Sequence, residues 1–531
     1  MSKIAIVKIH PGLNMALPQL AGDLVRAGHF ARMFFFKDYL MERDYGASSF
    51  SDDRTQLLVK EKYAEFPKEY ESLAEKIAEF KPHAIGLSVI SLSIAEAIKT
   101  TAFLRSKFDL PIVWGGVGTT LEPEIAIEHA DLVCVGEGEE VMVEFANHID
   151  GCLDWRKNTD WLSIEGTWSR APDGTVTKNP KRAMSDLNSI AIPDWNASKM
   201  VYINGDTVRR GPMAHGKLTQ GDYQIMTQRG CPFSCSFCVE SRYQEMFGKK
   251  NSLRRRSVDV VIEELVIAKE THSPAVVWFW DDVFTVNPRW LREFLPRYKE
   301  EVGLPFWCYT YPTTHTLDLL KDLKEGGCAS ITMGIQSGSE RILKESYNRP
   351  TPLGRVIEAS QEIVDSGLNG YFDLITKSSF ETEEDLRATF EFLVNLPGEM
   401  IYLGAAEMKS YPTYAYTINE SISNSDNILT SNFQVTDAVY DYYHELYWVA
   451  RNPHISKQEK LDIGNEPVFR ANPKLLREYT FARPDEFEEG FRQMREGMIA
   501  GKHPHELFPP GEYKHTPIAH HITAMANASG S

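Results

Sequence analysis

The residues of this chain best suited to chemistry are three cysteines on one short loop, Cys231, Cys235 and Cys238, in a C-x3-C-x2-C pattern. Three thiolates at this spacing can each bind one iron of a four-iron, four-sulfur (4Fe-4S) cluster. No fourth cysteine lies nearby, so one iron would keep an open position for a ligand from outside the protein. A zinc site, which would need a fourth Cys or His at pair-like spacing, and three buried free thiols are the alternatives.

An aromatic residue, Phe237, stands directly before the last cysteine of this loop. The loop and its flanking residues resemble the radical S-adenosylmethionine (SAM) superfamily, in which the open iron binds the amino and carboxylate groups of SAM. The resemblance implies that Phe237 belongs to the cofactor site. It also implies that the reduced cluster cleaves SAM to methionine and a 5′-deoxyadenosyl radical. The protein must exclude water while this radical exists.

The same resemblance implies further residues of the SAM site. Asp281 and Asp282 follow a predicted strand and match the family's acidic pair, although a helix N-cap is the alternative for them. A Gly-Ile-Gln-Ser-Gly run containing Gln336 and Ser337 stands where the family usually shows glutamate at the third position. Glutamine still hydrogen-bonds hydroxyl groups but carries no charge. Arg341 follows at a spacing that suits a contact with the SAM carboxylate.

Residues 1 to about 150 alternate short apolar runs with helix-length segments. This alternation predicts a doubly wound, Rossmann-like parallel sheet. Such sheets bind ligands beyond the carboxyl ends of their strands. The predicted turns at those ends are rich in glycine, and their candidate binding residues are Ser88, Gly115, Gly116, Gly118, Gly136 and Glu137.

The order of these turns, with the pair Pro123 and Glu124 between them, resembles the cobalamin-binding domain that precedes the barrel in the cobalamin-dependent branch of the radical SAM superfamily. The resemblance implies that cobalamin binds against these turns. The Asp-x-His-x-x-Gly motif of methionine-synthase-like domains is absent, so cobalt is expected to lack a histidine ligand. His10 is therefore expected in a loop or capping role. The alternative is a domain of this outline that has lost cobalamin.

The remaining chain divides into three predicted parts. Residues 151–220 are expected to be a linker with one small hairpin. Residues 221–420 contain six strand–helix repeats, which predict a partial (β/α)6 barrel of the radical SAM type with its chemistry at the carboxyl ends of the strands. Residues 421–531 are mostly helical and aromatic, and they are expected to cap the active site, although plain packing is the alternative for single tyrosines. The predicted fold class is therefore α/β with a helical C-terminal region.

Composition excludes several classes of protein. The chain has 531 residues and a net charge of −17, which disfavours nucleic-acid binding. No apolar run reaches about 18 residues, so no membrane span is expected. Seven cysteines without framework spacing, together with an N-terminus that lacks a signal-peptide layout, are typical of a cytoplasmic protein.

The leading function hypothesis is methyl transfer to an unactivated carbon of a small molecule, since this is the commonest activity in the resembling branch. A cyclase, a rearrangement or an oxidation without methyl transfer is the alternative, because the fold does not fix the reaction. A methylthiotransferase would need a second cluster from N-terminal cysteines, and only Cys134 and Cys152 precede the loop. A cobalamin sensor or carrier is disfavoured by the cysteine loop. We expect the substrate between the two domains and a flavodoxin- or ferredoxin-type electron donor.

Overall fold

A computed structural model of the chain describes residues 1–9, 15–37, 68–152, 154–205, 207–210, 222–398, 402–408, 411, 413–419, 435–480 and 487–502. The chain forms two compact units. The first comprises Met1–Gly221 and Arg254–Ser257, and the second comprises Asp222–Leu253 and Val258–Ser531. His10, the end of the predicted linker and residues 503–531 lie outside the described residues.

The first unit is built on one sheet of nine strands. They are β1 (Lys3–Ile9), β2 (Phe30–Phe36), β3 (Ala84–Ser88), β4 (Ile112–Gly115), β5 (Leu132–Cys134), β6 (Thr167–Arg170), β7 (Val176–Lys178), β8 (Met200–Asn204) and β9 (Thr207–Arg210). Their order across the sheet is β7-β6-β5-β4-β3-β1-β2-β8-β9. The six central strands run parallel, and antiparallel strands form both edges. The near-continuous apolar runs of the central strands are typical of a sheet that is covered on both faces.

Helices cover both faces of this sheet. They are α1 (Ala16–Arg26), α2 (Lys68–Phe80), α3 (Ile94–Lys107), α4 (Val117–Leu121), α5 (Pro123–His129) and α6 (Glu139–His148). Leu73 of α2 and Ala97 of α3 share one apolar core with Val7 and Ile9 of β1. Helices α1 and α6 pack together on the opposite face. The predicted doubly wound sheet is thereby confirmed.

Part of the predicted linker belongs to this sheet. Residues 154–210 contribute β6 to β9, of which β6 and β7 are the expected hairpin. These strands are only three to five residues long. An alternation of apolar and polar residues over so few positions is too short to stand out in the sequence.

The second unit carries the partial barrel. Its strands are β10 (Tyr223–Ile225), β11 (Gln228–Arg229), β13 (Val277–Phe279), β14 (Phe306–Thr310), β15 (Cys328–Gln336), β16 (Asn369–Thr376) and β17 (Tyr402–Glu407), and β12 (Arg254–Arg255) lies in the first unit. Six of them form a wholly parallel sheet in the order β10-β13-β14-β15-β16-β17. The connecting helices are α7 (Val239–Phe247), α8 (Lys249–Ser252), α9 (Val258–His272), α10 (Pro288–Arg297), α11 (Leu317–Glu325), α12 (Leu353–Ser366) and α13 (Glu383–Asn395). The predicted repeats are confirmed.

The C-terminal helices pack at two places on this unit. They are α14 (Ala415–Asn419), α15 (Asp437–Ala450), α16 (Lys457–Ile463), α17 (Pro467–Ala471) and α18 (Phe487–Ala500). Helix α15 packs against α13, and its Tyr447 donates a hydrogen bond to the carbonyl of Leu386. Capping of the active site by residues 421–531 stays a prediction.

Helix α18 closes the barrel interior at the amino ends of the strands. Met494 and Met498 join Trp278 and Trp307 in one buried cluster. Arg495 pairs with Asp222, which directly precedes β10. We call this cluster the aromatic floor. No described helix is long and apolar enough to cross a membrane.

Candidate functional site

The cysteine loop follows β10 and β11, and its backbone is fixed by neighbouring segments. The N–H of Ser236 donates to the carbonyl of Tyr347 at 3.0 Å. Nε2 of Gln244, on α7, donates to the carbonyls of Cys231 and Phe233 at 2.6 and 2.8 Å. These hydrogen bonds set the directions of the thiols by holding the loop that carries them.

The surroundings of Cys231 and Cys238 oppose a negative charge on these two thiols. Burial, with the nearby Asp282 carboxylate, raises the pKa of Cys231 to about 12 and raises the pKa of Cys238 as well. Thiolates here therefore need a cation beside them, which iron supplies. Among the described residues, no group of three or more His, Cys, Asp or Glu side chains lies close enough together to hold one metal ion. A four-iron cluster instead gives each thiolate its own iron, so the residues fit a cluster.

Arg349 is a site residue that the sequence analysis missed. Its Nη1 lies 3.8 Å from Sγ of Cys235, and its Nη2 donates to the carbonyl of Gly334. The guanidinium lies 4.1 Å above the ring of Tyr311, and that ring stacks on Phe233 with centroids 3.7 Å apart. A fixed positive charge thus stands beside the cysteines. No motif spacing pointed to it, because the contact depends on how the chain turns after β15.

The acidic pair divides between two roles. Asp281 is fully buried, and its Oδ1 accepts from the N–H groups of Thr227 and Gln228 at 2.6 and 2.9 Å, so it fixes the start of the cysteine loop. The side chain of Asp282 is accessible, yet the protein around it and the charge of Asp281 raise its pKa to about 6. Binding of SAM by this pair stays a prediction, and Asp282 is the member suited to it.

Ser337 and Arg341 connect the end of β15 to α13. The hydroxyl of Ser337 lies 3.3 Å from Oγ1 of Thr389. Nε of Arg341 donates to Asp385 at 3.2 Å, and the two residues form an ion pair. Both side chains are therefore engaged within the protein, and their contact with SAM stays a prediction.

Gln336 and Phe237 lie nearer the barrel interior. Gln336 has a φ of +67°, and its amide folds back over Gly334, where an added Cβ would lie 2.3 Å from Nε2. Phe237 packs edge-on against Tyr347 and joins an apolar cluster with Ile375. Phe237 is thus part of the cysteine loop itself, and the Gln336 amide lies against Gly334, whose carbonyl accepts from the Arg349 that contacts Cys235.

A carboxyl group lies inside the barrel between this loop and the aromatic floor. Along β16, Tyr371 packs against the floor, and Ile375 packs against the apolar cluster that Phe237 also joins. Asp373 therefore lies between these two places, on the same face of the strand. Burial raises the pKa of Asp373 to about 7, and its carboxyl forms no hydrogen bond or ion pair with the described residues. It is a second residue that the sequence analysis missed.

Glycines on both neighbouring strands make room for Asp373. It pairs in register with Gly334 on β15 and Gly404 on β17. A Cβ added to Gly404 would lie 2.4 Å from Oδ1 of Asp373. The carboxyl therefore occupies space that a larger residue would fill.

In the first unit, Ser88 ends β3 and Gly115 ends β4, at one edge of the sheet. Gly116 has a φ of +108°, and a Cβ there would lie 2.6 Å from the carbonyl oxygen of Val89. A Cβ on Gly118 would lie 2.6 Å from the carbonyl carbon of Ile90. The chain's own loop after β3 therefore requires these two glycines, and their contact with cobalamin stays a prediction.

Gly136 and Glu137 follow β5. The N–H of Gly136 donates to Oγ1 of Thr120 at 3.1 Å. The Glu137 carboxylate accepts from Arg254 at 2.7 and 2.9 Å and from the N–H of Ser185 at 3.1 Å. The carboxylate is thus engaged by protein groups, and its contact with cobalamin likewise stays a prediction.

Comparisons with known proteins agree with this arrangement. The model of the Radical SAM superfamily matches residues 225–393, and that of the B12 binding domain matches residues 49–146. An uncharacterised methyltransferase of Pyrococcus horikoshii is 28% identical over 333 residues, which span 62% of this chain and 67% of the relative. The anaerobic magnesium-protoporphyrin IX monomethyl ester cyclase of Rubrivivax gelatinosus is 25% identical over 401 residues, which span 73% of this chain and 65% of that enzyme.

A solved structure shares the fold of both units. The cobalamin-dependent SAM radical enzyme OxsB, with aqua-cobalamin and SAM bound, matches with a TM-score of 0.60 and 13% identity over 94% of this chain and 76% of its own. This arrangement, a doubly wound B12-binding domain followed by a partial barrel with a three-cysteine loop, is that of cobalamin-dependent radical SAM enzymes. The chain thus carries both domains of the cobalamin-dependent branch, a B12 binding domain followed by a Radical SAM domain. It spans about two thirds of the length of the two curated relatives described above.

Proposed function

We propose that this protein transfers a methyl group from SAM, by way of cobalamin, to an unactivated carbon of a small molecule. The observation that carries the proposal is the presence of the cysteine loop and the B12-binding sheet on one chain. The similarity to the Pyrococcus horikoshii methyltransferase supports methyl transfer over other radical chemistry.

The residues beside the cysteine loop suit the two charged ends of SAM. When bound, the cluster supplies the electron that cleaves SAM, and cobalamin supplies a carrier for the methyl group. The Arg349 guanidinium favours a carboxylate, and the Asp282 carboxylate favours an ammonium group. Holding both ends would place the sulfonium for reaction, since positioning supplies much of the rate of such steps.

The barrel interior suits a substrate that must be kept from water. The aromatic floor closes it at the amino ends of the strands, where Trp278 and Trp307 are almost fully buried. Asp373 is an acceptor on its wall for a hydroxyl or amine of the substrate. We further propose a flavodoxin- or ferredoxin-type electron donor and a cytoplasmic location, which the free state of all seven cysteines supports.

A cyclase that makes no methyl transfer is the second candidate. The similarity to the Rubrivivax gelatinosus cyclase favours it, because that match spans more of this chain than the methyltransferase match. Both candidates need the cluster and SAM, so they differ only in the fate of the methyl group.

The test is turnover of the anaerobically reconstituted protein with SAM that carries a deuterated methyl group. We expect the deuterated methyl in the product, detected by mass spectrometry. If substrate is converted to a product without the deuterated methyl group, and 5′-deoxyadenosine forms, the protein belongs to the cyclase class instead.

A further inference from the structure

Lys8 is a buried lysine on a central strand of the first unit, with 8% of its surface exposed. Lysine is almost never this buried unless a carboxylate pairs with it. Its ammonium forms no hydrogen bond or ion pair with the described residues, and burial lowers its pKa to about 8. The sequence between the strand and α1, residues 10–14, contains no acidic residue.

The position of Lys8 is one where doubly wound sheets bind ligands. It is the penultimate residue of β1, which lies between β2 and β3. Because the chain leaves β1 for β2 on one side and reaches β3 on the other, the ends of β1 and β3 form the topological switch point of the sheet. Lys8 is in register with Ser88, the last residue of β3.

The face of the sheet on which Lys8 lies is also defined. Val7 and Ile9 belong to the apolar core with α2 and α3, so Lys8, between them, lies on the face of α1 and α6. The neighbouring pair on that face is Ile6 and Gly86, and Gly86 approaches Met142 of α6. Among the described residues, the Lys8 ammonium and the Ser88 hydroxyl thus lie together at the switch point, with apolar groups toward the amino ends of the two strands.

We propose that Lys8 and Ser88 bind the phosphodiester in the nucleotide tail of cobalamin, an inference that rests on the cobalamin binding of the proposed function. Cobalamin carries this anionic group in the tail that joins its corrin ring to its base. An anion that enters a buried site needs a cation beside it, and Lys8 supplies the charge while Ser88 supplies a second donor. The orphaned ammonium is the feature that fits this group.

The test compares two corrinoids on the full chain. Hydroxocobalamin and cobinamide, which lacks the phosphodiester and the nucleotide, are titrated anaerobically and followed by absorbance. We expect Lys8→Met to lose about tenfold or more in affinity for cobalamin and to bind cobinamide as the wild type does. Lys3→Met, at the amino end of the same strand, is the matched control and should change neither affinity.

Other outcomes would overturn the inference in distinct ways. An unchanged affinity for cobalamin, or an equal loss for both corrinoids, would show that Lys8 does not read the phosphodiester. Stabilisation of the wild type by inorganic phosphate, lost in Lys8→Met while cobalamin binding is unchanged, would assign the site to free phosphate. A wild type that binds neither corrinoid would overturn the cobalamin part of the proposed function as well.

The stability of the corrinoid-free protein gives a readout independent of binding. Lys8→Met removes an unpaired buried charge and keeps the length of the side chain, so we expect its thermal midpoint to rise. A lower midpoint than that of the wild type would show that Lys8 serves the fold and would overturn the binding role.

Discussion

Single residues of this protein divide into those engaged by the chain itself and those left for ligands. Asp281, Arg341 and Glu137 are held by other protein groups, whereas Lys8 and Asp373 are ionisable groups with no hydrogen-bond or ion-pair partner in the described part of the chain. A buried charge without a partner lowers stability, and such groups are typical of binding sites. The distinction separates motif residues with a structural role from those suited to function.

The three cysteines give the first prediction at this scale. Changing Cys231, Cys235 and Cys238 together to alanine should abolish the brown chromophore and the roughly four irons per chain, because iron–sulfur clusters need thiolate ligands. Iron content after anaerobic reconstitution is the measurement. Cys152→Ala, a half-buried cysteine of the first unit, is the control and should keep its iron. A triple variant that retains about four irons would refute the cluster assignment.

Asp373 gives a prediction about stability and pH. Its folded-state pKa of about 7 lies above its ordinary 3.8, so the folded state holds the proton more tightly than the unfolded state. The protein therefore loses stability as pH rises from about 4 to 7, and this loss is complete above pH 7. Asp373→Asn removes the loss and should raise the free energy of unfolding at pH 8, by an amount on the order of 1–3 kcal/mol.

Thermal unfolding at pH 5 and pH 8 checks this prediction. The gain from Asp373→Asn should be larger at pH 8, and Asp322→Asn, an exposed carboxyl on α11, should show no such difference. A gain that is equal at both pH values, or a destabilised variant at pH 8, would show that the Asp373 carboxyl is charged and satisfied in the folded protein.

At the scale of elements, the turn after β4 gives a matched pair of glycines. A Cβ on Gly116 would meet the Val89 carbonyl oxygen at 2.6 Å and adopt an unfavourable φ, whereas a Cβ on Gly115 would meet Cys134 at an ordinary 3.6 Å. Gly116→Ala should therefore lower the free energy of unfolding by about 1–3 kcal/mol, and Gly115→Ala by less than about 0.5 kcal/mol. The measurement is chemical denaturation without cobalamin. Equal stability of the two variants would contradict a structural role for Gly116.

Most helices and strands could be predicted because their apolar patterns extend over many residues. The strands of β1 and β2, the repeats of the barrel and the cysteine loop all follow from apolar periodicity and motif spacing. The strands β6 to β9 were missed as part of the sheet because three to five residues carry too little periodicity. The sequence also could not predict which distant residues would pair with the candidate site residues.

These distant partners determine which candidate residues are bound by other protein groups and which remain available to a ligand. Spacing placed Arg341 and Glu137 at the ends of elements, but it could not show that Asp385 and Arg254 hold them. Arg349 and Asp373 belong to no motif. Only the fold brings Arg349 to the cysteine loop and Asp373 to the barrel interior. The family was therefore readable from local pattern, whereas the roles of individual side chains depend on contacts across the sequence.

The whole molecule combines two α/β units, each with candidate ligand-binding residues at the carboxyl ends of parallel strands. The first offers the switch point with Lys8 and Ser88, and the second offers the cysteine loop and a barrel interior that ends on the aromatic floor. Parallel sheets bind ligands at such edges because the loops there are free to vary while the strands hold them in place. These two edges predict that one chain holds two cofactors, cobalamin and a 4Fe-4S cluster with SAM.

The most direct test of that claim measures both fates of SAM in one reaction. The anaerobically reconstituted protein, supplied with cobalamin, reductant, SAM and substrate candidates, should form S-adenosylhomocysteine and 5′-deoxyadenosine. Omission of cobalamin should abolish only the formation of S-adenosylhomocysteine. The triple cysteine variant should form no 5′-deoxyadenosine. Formation of 5′-deoxyadenosine alone, with cobalamin present and substrate converted, would contradict methyl transfer, and formation of neither from the fully loaded protein would contradict the account as a whole.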